Sequence, residues 1–323
     1  MNTLKKYFFG ISLVVFALTN TLAQNMSNYI TLNVKANEDV GFEILGDSPN
    51  DSARVVCGKM DTSFLLSSNI FVDRTFTTQD SILTIYGNVK VFSCSFNDYI
   101  RSIDFSNNPN LKEISCDYLD SLTSLNVSNN PAITHLSCTN CPKLTVLDIS
   151  SCSNLTYLNC NNNNLTSLTF PKSSSILELH CSDNKLTSLN LTNCTSLGSI
   201  TCSNNLLTSL DVSNNPQLRD ISCDNNNLTS LHIHNNYYLQ TINCSGNSFT
   251  TQAFDDLMCS LPATNGVLYP LYNQNDKNYA EFMASNAKNA NAKHWSVEYY
   301  ENNSSIIDAL NVGKTAIVEG LAH

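Results

Sequence analysis

The chain has 323 residues, enough for two or three domains and a sizeable core. Seventeen Lys and Arg stand against 27 Asp and Glu, a formal charge of -10, and charged residues make up only 14%, where about 25% is usual. That acidic balance, with no basic run beyond the extreme N-terminus, excludes a nucleic-acid surface and an anionic-membrane surface, because both need clustered Lys and Arg. Polarity comes instead from 47 asparagines together with Ser and Thr, while 42% hydrophobic residues mark a globular chain and not a disordered one.

Residues 1–23 read as a secretory signal. Lys5 and Lys6 precede an apolar stretch from Tyr7 to Leu18, and Thr21-Leu22-Ala23 ends on a small residue before Gln24. The stretch falls short of the roughly 20 apolar residues of a membrane span, and no later segment reaches that length, so no transmembrane segment is expected. Cleavage near Ala23 leaves 15 basic against 27 acidic residues, a charge of -12. No cysteine adjoins the cleavage point, so lipid attachment is not expected and the mature chain is expected to be secreted or displayed at the cell surface. Residues 24–88 are strand-like, with Ile30-Thr-Leu-Asn-Val34 and Ile82-Leu-Thr-Ile-Tyr86 between polar turns, and are expected to form a β-rich N-terminal cap.

Residues 89–250 repeat. Cys94, Cys116, Cys138, Cys160, Cys181, Cys202, Cys223 and Cys244 recur at steps of 22 and then 21 residues, a period that means a solenoid. Around each lies an L-x-x-L-x-C edge, whose period-two ending suits a short strand, followed by an Asn where the backbone bends; Leu218 to Leu228 shows the unit whole. A second edge follows in each turn, as in Leu207-Thr-Ser-Leu-Asp-Val-Ser-Asn-Asn215. The stacked asparagines are expected to satisfy backbone groups that tight bends leave unpaired. Cys141, Cys152, Cys194 and Leu119 replace Asn in some turns and are expected to weaken that ladder locally. Adjacent turns stack at about 4.8 Å, while a disulfide needs Cβ atoms near 3.8 Å and a dihedral near 90°. The eight ladder thiols are therefore expected to be reduced and buried.

After Phe249 the pattern changes. Gln252 to Leu261 and Asn278 to Lys293 read as helices, and His294-Trp-Ser-Val-Glu-Tyr-Tyr300 as a strand. Residues 251–302 are thus a small α/β C-terminal cap holding Trp295, and 303–323 a tail. Cys57 and Cys259, one in each cap, read as buried small hydrophobes.

The 21 to 22 residue period, the L-x-x-L-x-C edge and the L-T-S-L-D-V-S-N-N half resemble the cysteine-ladder leucine-rich repeats of internalin-J-type bacterial surface proteins. The resemblance covers about residues 89–250. It implies a leucine-rich-repeat solenoid of about eight turns with a parallel β-sheet face, working by binding a protein or glycan on a host or neighbouring cell; an alternative is a structural spacer of the cell surface with no specific ligand. Asn-x-Ser/Thr triplets such as Asn164-Leu-Thr follow from the repeat and carry no weight for glycosylation.

Catalytic and metal patterns are poor. Gly313 to Ala322 resembles the end of the phosphate-binding loop of Clp-type ATP-driven unfoldases, but Asp308 and Asn311 stand where glycines must wrap the phosphates, and a carboxylate repels them. His232-Ile-His234 puts two imidazoles on one strand face without a suitable third ligand, and Cys138-Thr-Asn-Cys141 has its spacing set by the repeat. No enzyme activity, metal or cofactor is expected. The x positions of L-x-x-L-x-C face outward, from Lys90, Val91 and Ser93 in the first turn to Gln240, Thr241 and Asn243 in the last. Small polar residues dominate them. His135, Tyr157, Leu177, Glu178 and His180 break that monotony over the middle turns, with Arg219 and Asp220 further on, and these seven are the candidate partner contacts.

Overall fold

The computed structural model describes residues 26–49, 51–301 and 306; the expected signal and nearly all of the tail lie outside them. The chain divides into two compact units, one ending at Leu155 and the other beginning at Thr156. The fold is a leucine-rich-repeat solenoid, with three ladder cysteines in the first unit and five in the second.

In the first unit the residues before the repeats form antiparallel strands, as the alternation of Tyr29–Val34 and Ile82–Tyr86 dictates. Asp39–Gly46 pairs antiparallel with Val72–Thr77 on one side and with Val89–Ser93 on the other. From there the strands turn parallel: Val89–Ser93 pairs with Glu113–Ser115, and that with His135–Ser137. The core here is aromatic. Phe92 lies 5.9 Å from Phe42 and 5.3 Å edge-on from Phe105, and all three are buried.

In the second unit short parallel strands at Tyr157–Asn159, Glu178–His180, Ser199–Thr201, Asp220–Ser222 and Thr241–Asn243 pair in strict register. Their middle residues, Leu158, Leu179, Ile200, Ile221 and Ile242, are wholly buried, as are the ladder cysteines that follow them. Val267–Leu271 and Ser296–Tyr299 extend the parallel pairing. The first helix is Thr251–Ser260, started by the Thr250 side chain accepting from the Ala253 amide. The expected second helix is two short ones, Tyr279–Ala284 and Lys288–Asn291. Ser285 is extended between them, and the Asn286 amide donates to Asp255 Oδ1 at 2.6 Å, so a carboxylate of the first helix takes a donor that a continuous helix would keep. Trp295 is buried and donates from Nε1 to the Pro262 carbonyl at 2.8 Å. Gly266 lets it lie there, since a Cβ would meet its ring at 2.6 Å.

The asparagine ladder has both ends engaged. Asn205 Nδ2 donates to the carbonyls of Cys181 in the turn before and Cys202 in its own, at 2.9 and 3.1 Å, while its Oδ1 accepts from the Leu186 amide at 2.9 Å. Asn184, Asn226 and Asn247 repeat this arrangement. The second edge has its own column: Asn130 donates to Phe105 and Asn108, and Asn236 to Val212 and Asn215. There the Oδ1 atoms of Asn108, Asn130, Asn215 and Asn236 have no protein partner. The Asp or Asn of that edge accepts from the amide two residues on, as Asp211 does from Ser213 at 2.9 Å, an Asx turn. Two of the substitutions soften the ladder without breaking it: Cys141 Sγ donates to the Cys116 carbonyl at 3.2 Å and Cys152 Sγ to that of Val127 at 3.6 Å, weak donors in place of an amide, whereas the Leu119 side chain has no polar atom to offer.

All thirteen cysteines are thiols. In the first unit Cys94 Sγ lies 3.6 Å from Cys116 Sγ, contact without a bond. Burial pushes the thiols of Cys116, Cys138, Cys181, Cys202 and Cys223 well above the ordinary value, and those of Cys141 and Cys152 up to about 12. One expectation fails. Cys57 is buried, but Cys259 is exposed, within 3.3 Å of Asn289 Nδ2, because the buried face of its helix is taken by Phe254, Leu257 and Met258.

Three measurements check this ladder. Asn205→Ala strands the Leu186 amide and the bend carbonyls and is expected to cost at least about 2 kcal/mol in urea unfolding, while Leu206→Ala, on an exposed side chain, is expected to cost less than about 0.5 kcal/mol; parity of the two would refute the ladder's role. A chromogenic thiol reagent is expected to find one fast thiol, Cys259, in the native protein, and thirteen in denaturant without reductant; six disulfides would overturn the assignment. The buried thiols are also expected to make stability depend on pH on the alkaline side. Below about pH 8.5, where an unfolded thiol titrates, the thiols keep their proton in both states and contribute no pH dependence. Above it the unfolded chain ionises while the buried thiols, with their raised pKa, do not, so each such thiol loses about 1.4 kcal/mol of stability per pH unit. A melting temperature flat from pH 8.5 to 10 would contradict this.

Candidate functional site

The outward sheet face follows from strand alternation: the buried middle residue of each short strand leaves its two neighbours outside. In the second unit one outward row runs Tyr157, Glu178, Ser199, Asp220, Thr241, and the next runs Asn159, His180, Thr201, Ser222, Asn243. Leu177 and Arg219 sit at the bend before their strands, both exposed, with Gly198 in the turn between them: the Gly198 amide donates to the Leu177 carbonyl and the Arg219 amide to that of Gly198.

Three of the candidates come together. The Tyr157 and His180 rings lie 5.5 Å apart at 53°, His180 Nε2 is 3.8 Å from Glu178 Oε2, and His180 Nδ1 is 3.1 Å from Thr201 Oγ1. The imidazole is thus fixed between a hydroxyl, a carboxylate and an aromatic face. Asn159 Nδ2 adds a 3.4 Å contact to the Tyr157 hydroxyl. Asp220 shares the row of Glu178 with Ser199 between them. His135 belongs to the first unit, where it is exposed, opposite Glu113 in register, with Nδ1 3.0 Å from Thr134 Oγ1. Two outward expectations are corrected: Val91 and Asn243 are buried. Each lies beside a strand that is not a repeat, Val91 opposite Leu45 and Asn243 opposite Tyr269, and those strands cover them.

A polar column that the motif reading passed over stands at the residue after each ladder cysteine. The Asp117 amide donates to Ser95 Oγ at 3.0 Å, and Asp117 Oδ1 accepts from the Thr139 amide at 2.7 Å. Further along, the Ser182 amide donates to Asn161 Oδ1 and the Ser203 amide to Ser182 Oγ. Asp224 is enclosed by Ser203, Asn225 and Asn243, and burial pushes its carboxyl above the usual range. The signal was present, since Ser, Asp, Thr or Asn fills this position in all eight turns.

A concavity of about 800 Å³ in the second unit lies between the edge carrying His232 and His234 and the helix carrying Asp256 and Cys259. His232 stands opposite Asp211 in register, and its Nε2 lies 3.3 Å from Ser230 Oγ. Among the described residues no group of three His, Cys, Asp or Glu is placed to hold a metal ion, and no helix is long and apolar enough to cross a membrane. What the outward face offers chemically is hydrogen bonding, one fixed imidazole and aromatic surface.

No protein-family model matches the sequence, and no curated protein matches it. Among solved structures, the functional domain of InlJ from Listeria monocytogenes, which includes a cysteine ladder, is similar at 24% identity over 61% of this chain and 52% of its own, with a TM-score of 0.39. YopM, a leucine-rich effector protein from Yersinia pestis, is similar at 22% identity over 48% of this chain and 55% of its own, with a TM-score of 0.31. The chain spans about half the length of each.

Proposed function

We propose that the chain is an exported binding module that presents its outward sheet face to a protein or glycan on a host or neighbouring cell. The observation that carries this reading is the contact of Tyr157, Glu178 and His180 on a face where small polar residues dominate. Tyr is among the side chains that anchor interfaces, since it brings a large rigid surface with a polar tip. Leu177 supplies apolar area beside it, Arg219 and Asp220 a charged edge two turns on, and His135 is the corresponding candidate on the first unit.

Tyr157→Ala is expected to cost at least about 1 kcal/mol of binding to a partner captured from surface extracts, and Ser199→Ala much less. Both variants are expected to melt as the wild type does. Normal binding by a Tyr157→Ala, Glu178→Ala double variant, together with loss of binding on changes in the 251–302 region, would move the site off this face; a chain that captures no partner would favour a structural spacer. Mg-ATP is expected to give no heat on titration into the chain, because Asp308 and Asn311 replace the glycines of a phosphate loop. A micromolar dissociation constant abolished by Lys314→Ala would reopen an enzymatic role.

A further inference from the structure

In every turn the second residue after the ladder cysteine takes a left-handed backbone. In the last six turns that residue is Asn140, Asn162, Asp183, Asn204, Asn225 and Gly246, at φ between 53° and 62°, residue types that tolerate the conformation. In the first two turns it is Phe96 at φ 63° and Tyr118 at φ 56°. Their rings stack in parallel, 4.8 Å apart at 9°. Neither is packed into the core: Tyr118 is 48% exposed, and Phe96, at 75%, is the most exposed large hydrophobic side chain among the described residues.

Beside this pair runs a groove of about 640 Å³ in the first unit, with Phe96 on one wall and Asp39, Glu43, Asp73 and Asp117 among the lining residues. Glu43 and Asp73 stand directly opposite in register on neighbouring strands, an arrangement of like charges that destabilises a sheet unless something positive lies between them. Among the described residues no ion pair does so: those of Lys and Arg are Lys35 with Glu38 and Arg54 with Asp61. Arg74, next to Asp73, lies over the ring of Phe64 and donates to a backbone carbonyl. Asp117 is held by Ser115, Ser137 and Thr139, and Asp39 by Thr77, which leaves Glu43 and Asp73 as the open carboxylates.

We propose that this groove docks an arginine-bearing segment of a partner protein, with a guanidinium on the outer face of Phe96 and its donors toward Glu43 and Asp73. A planar cation is the one side chain that satisfies both walls at once, by stacking on the ring and by forked hydrogen bonds to carboxylate. The chain's charge of -10 draws such a segment in. The proposal does not rest on the Tyr157 contact.

The test is fluorescence anisotropy with a labelled Gly-Arg repeat heptapeptide and its Gly-Gln counterpart, on the full chain at low and physiological salt. Phe96→Asn with Tyr118→Asn installs the residue that four later turns use, so it removes the aromatic wall while relieving the backbone. This variant is expected to weaken the arginine peptide at least tenfold with a melting temperature equal to or above the wild type. Glu43→Gln with Asp73→Asn is expected to weaken it at least tenfold as well, and Tyr157→Ala to leave it unchanged. Equal binding by wild type and both double variants would reduce the effect to diffuse attraction by an acidic chain and overturn the proposal. So would equal binding of the Gly-Gln peptide, or a silent arginine peptide beside a neutral oligosaccharide that binds in a Phe96-dependent way.

Discussion

The structure depends on one small group, the carboxamide of the bend asparagine. Every turn of 21 or 22 residues must reverse direction within a few residues, and the bend buries carbonyls that no strand neighbour reaches. Left alone, each buried unpaired group would cost about 1–3 kcal/mol, and eight turns of such losses exceed the net stability of an ordinary domain. An amide with two donors and one acceptor on a short stem reaches the carbonyl of its own turn, the carbonyl of the turn before and the amide that opens that earlier turn's second edge, as Asn205 does. It is neutral, so it can be buried without the desolvation cost of a charge. The abundance of Asn and the scarcity of charge are therefore one fact about the fold.

The cysteines answer a different constraint, that of volume. The third apolar slot of each edge lies where successive turns stack, and a thiol is apolar enough to be buried and small enough to repeat without crowding. Where cysteine takes the asparagine slot, at Cys141 and Cys152, the same group does a second job as a weak donor to a bend carbonyl. Burial keeps these thiols protonated, which removes the thiolate needed for disulfide exchange. The ladder is thus compatible with an oxidising environment without being a disulfide scaffold.

The repeat was legible because a solenoid writes its geometry into a fixed period: the ladder, both edges and the asparagine role follow from spacing alone. The ends were less legible, since each is a single element with no repeat to average over. Val267–Leu271 pairs in parallel with the last repeat strand, yet Pro270 within it argues against a strand; the register shift between Leu268 and Leu271 is how the sheet accommodates it. The helix expected from Asn278 to Lys293 is broken by Asp255, a partner far away in sequence. Cys259 is exposed because a helix face with Phe254, Leu257 and Met258 was already full. As for the outward face, register placed Tyr157, Glu178 and His180 side by side, but whether those side chains touch is a matter of rotamer that spacing does not encode.

A repeat also makes departures readable. At a position that must be left-handed, Asn, Asp and Gly satisfy the backbone at little cost, and a bulky residue there costs about 1 kcal/mol or more. Such a residue persists when it gains enough elsewhere. Packing is the usual gain, and for Phe96 and Tyr118 it is small, because one ring is mostly in water and the other half so. Stacking of the pair returns about 0.5–1.5 kcal/mol, which offsets one strained residue but not two. The remainder is unaccounted for within the chain, whereas the contact of Tyr157 with His180 strains nothing and sits on a regular strand. Of the two surfaces, the first-turn groove is the one where the sequence departs from what its own fold prefers.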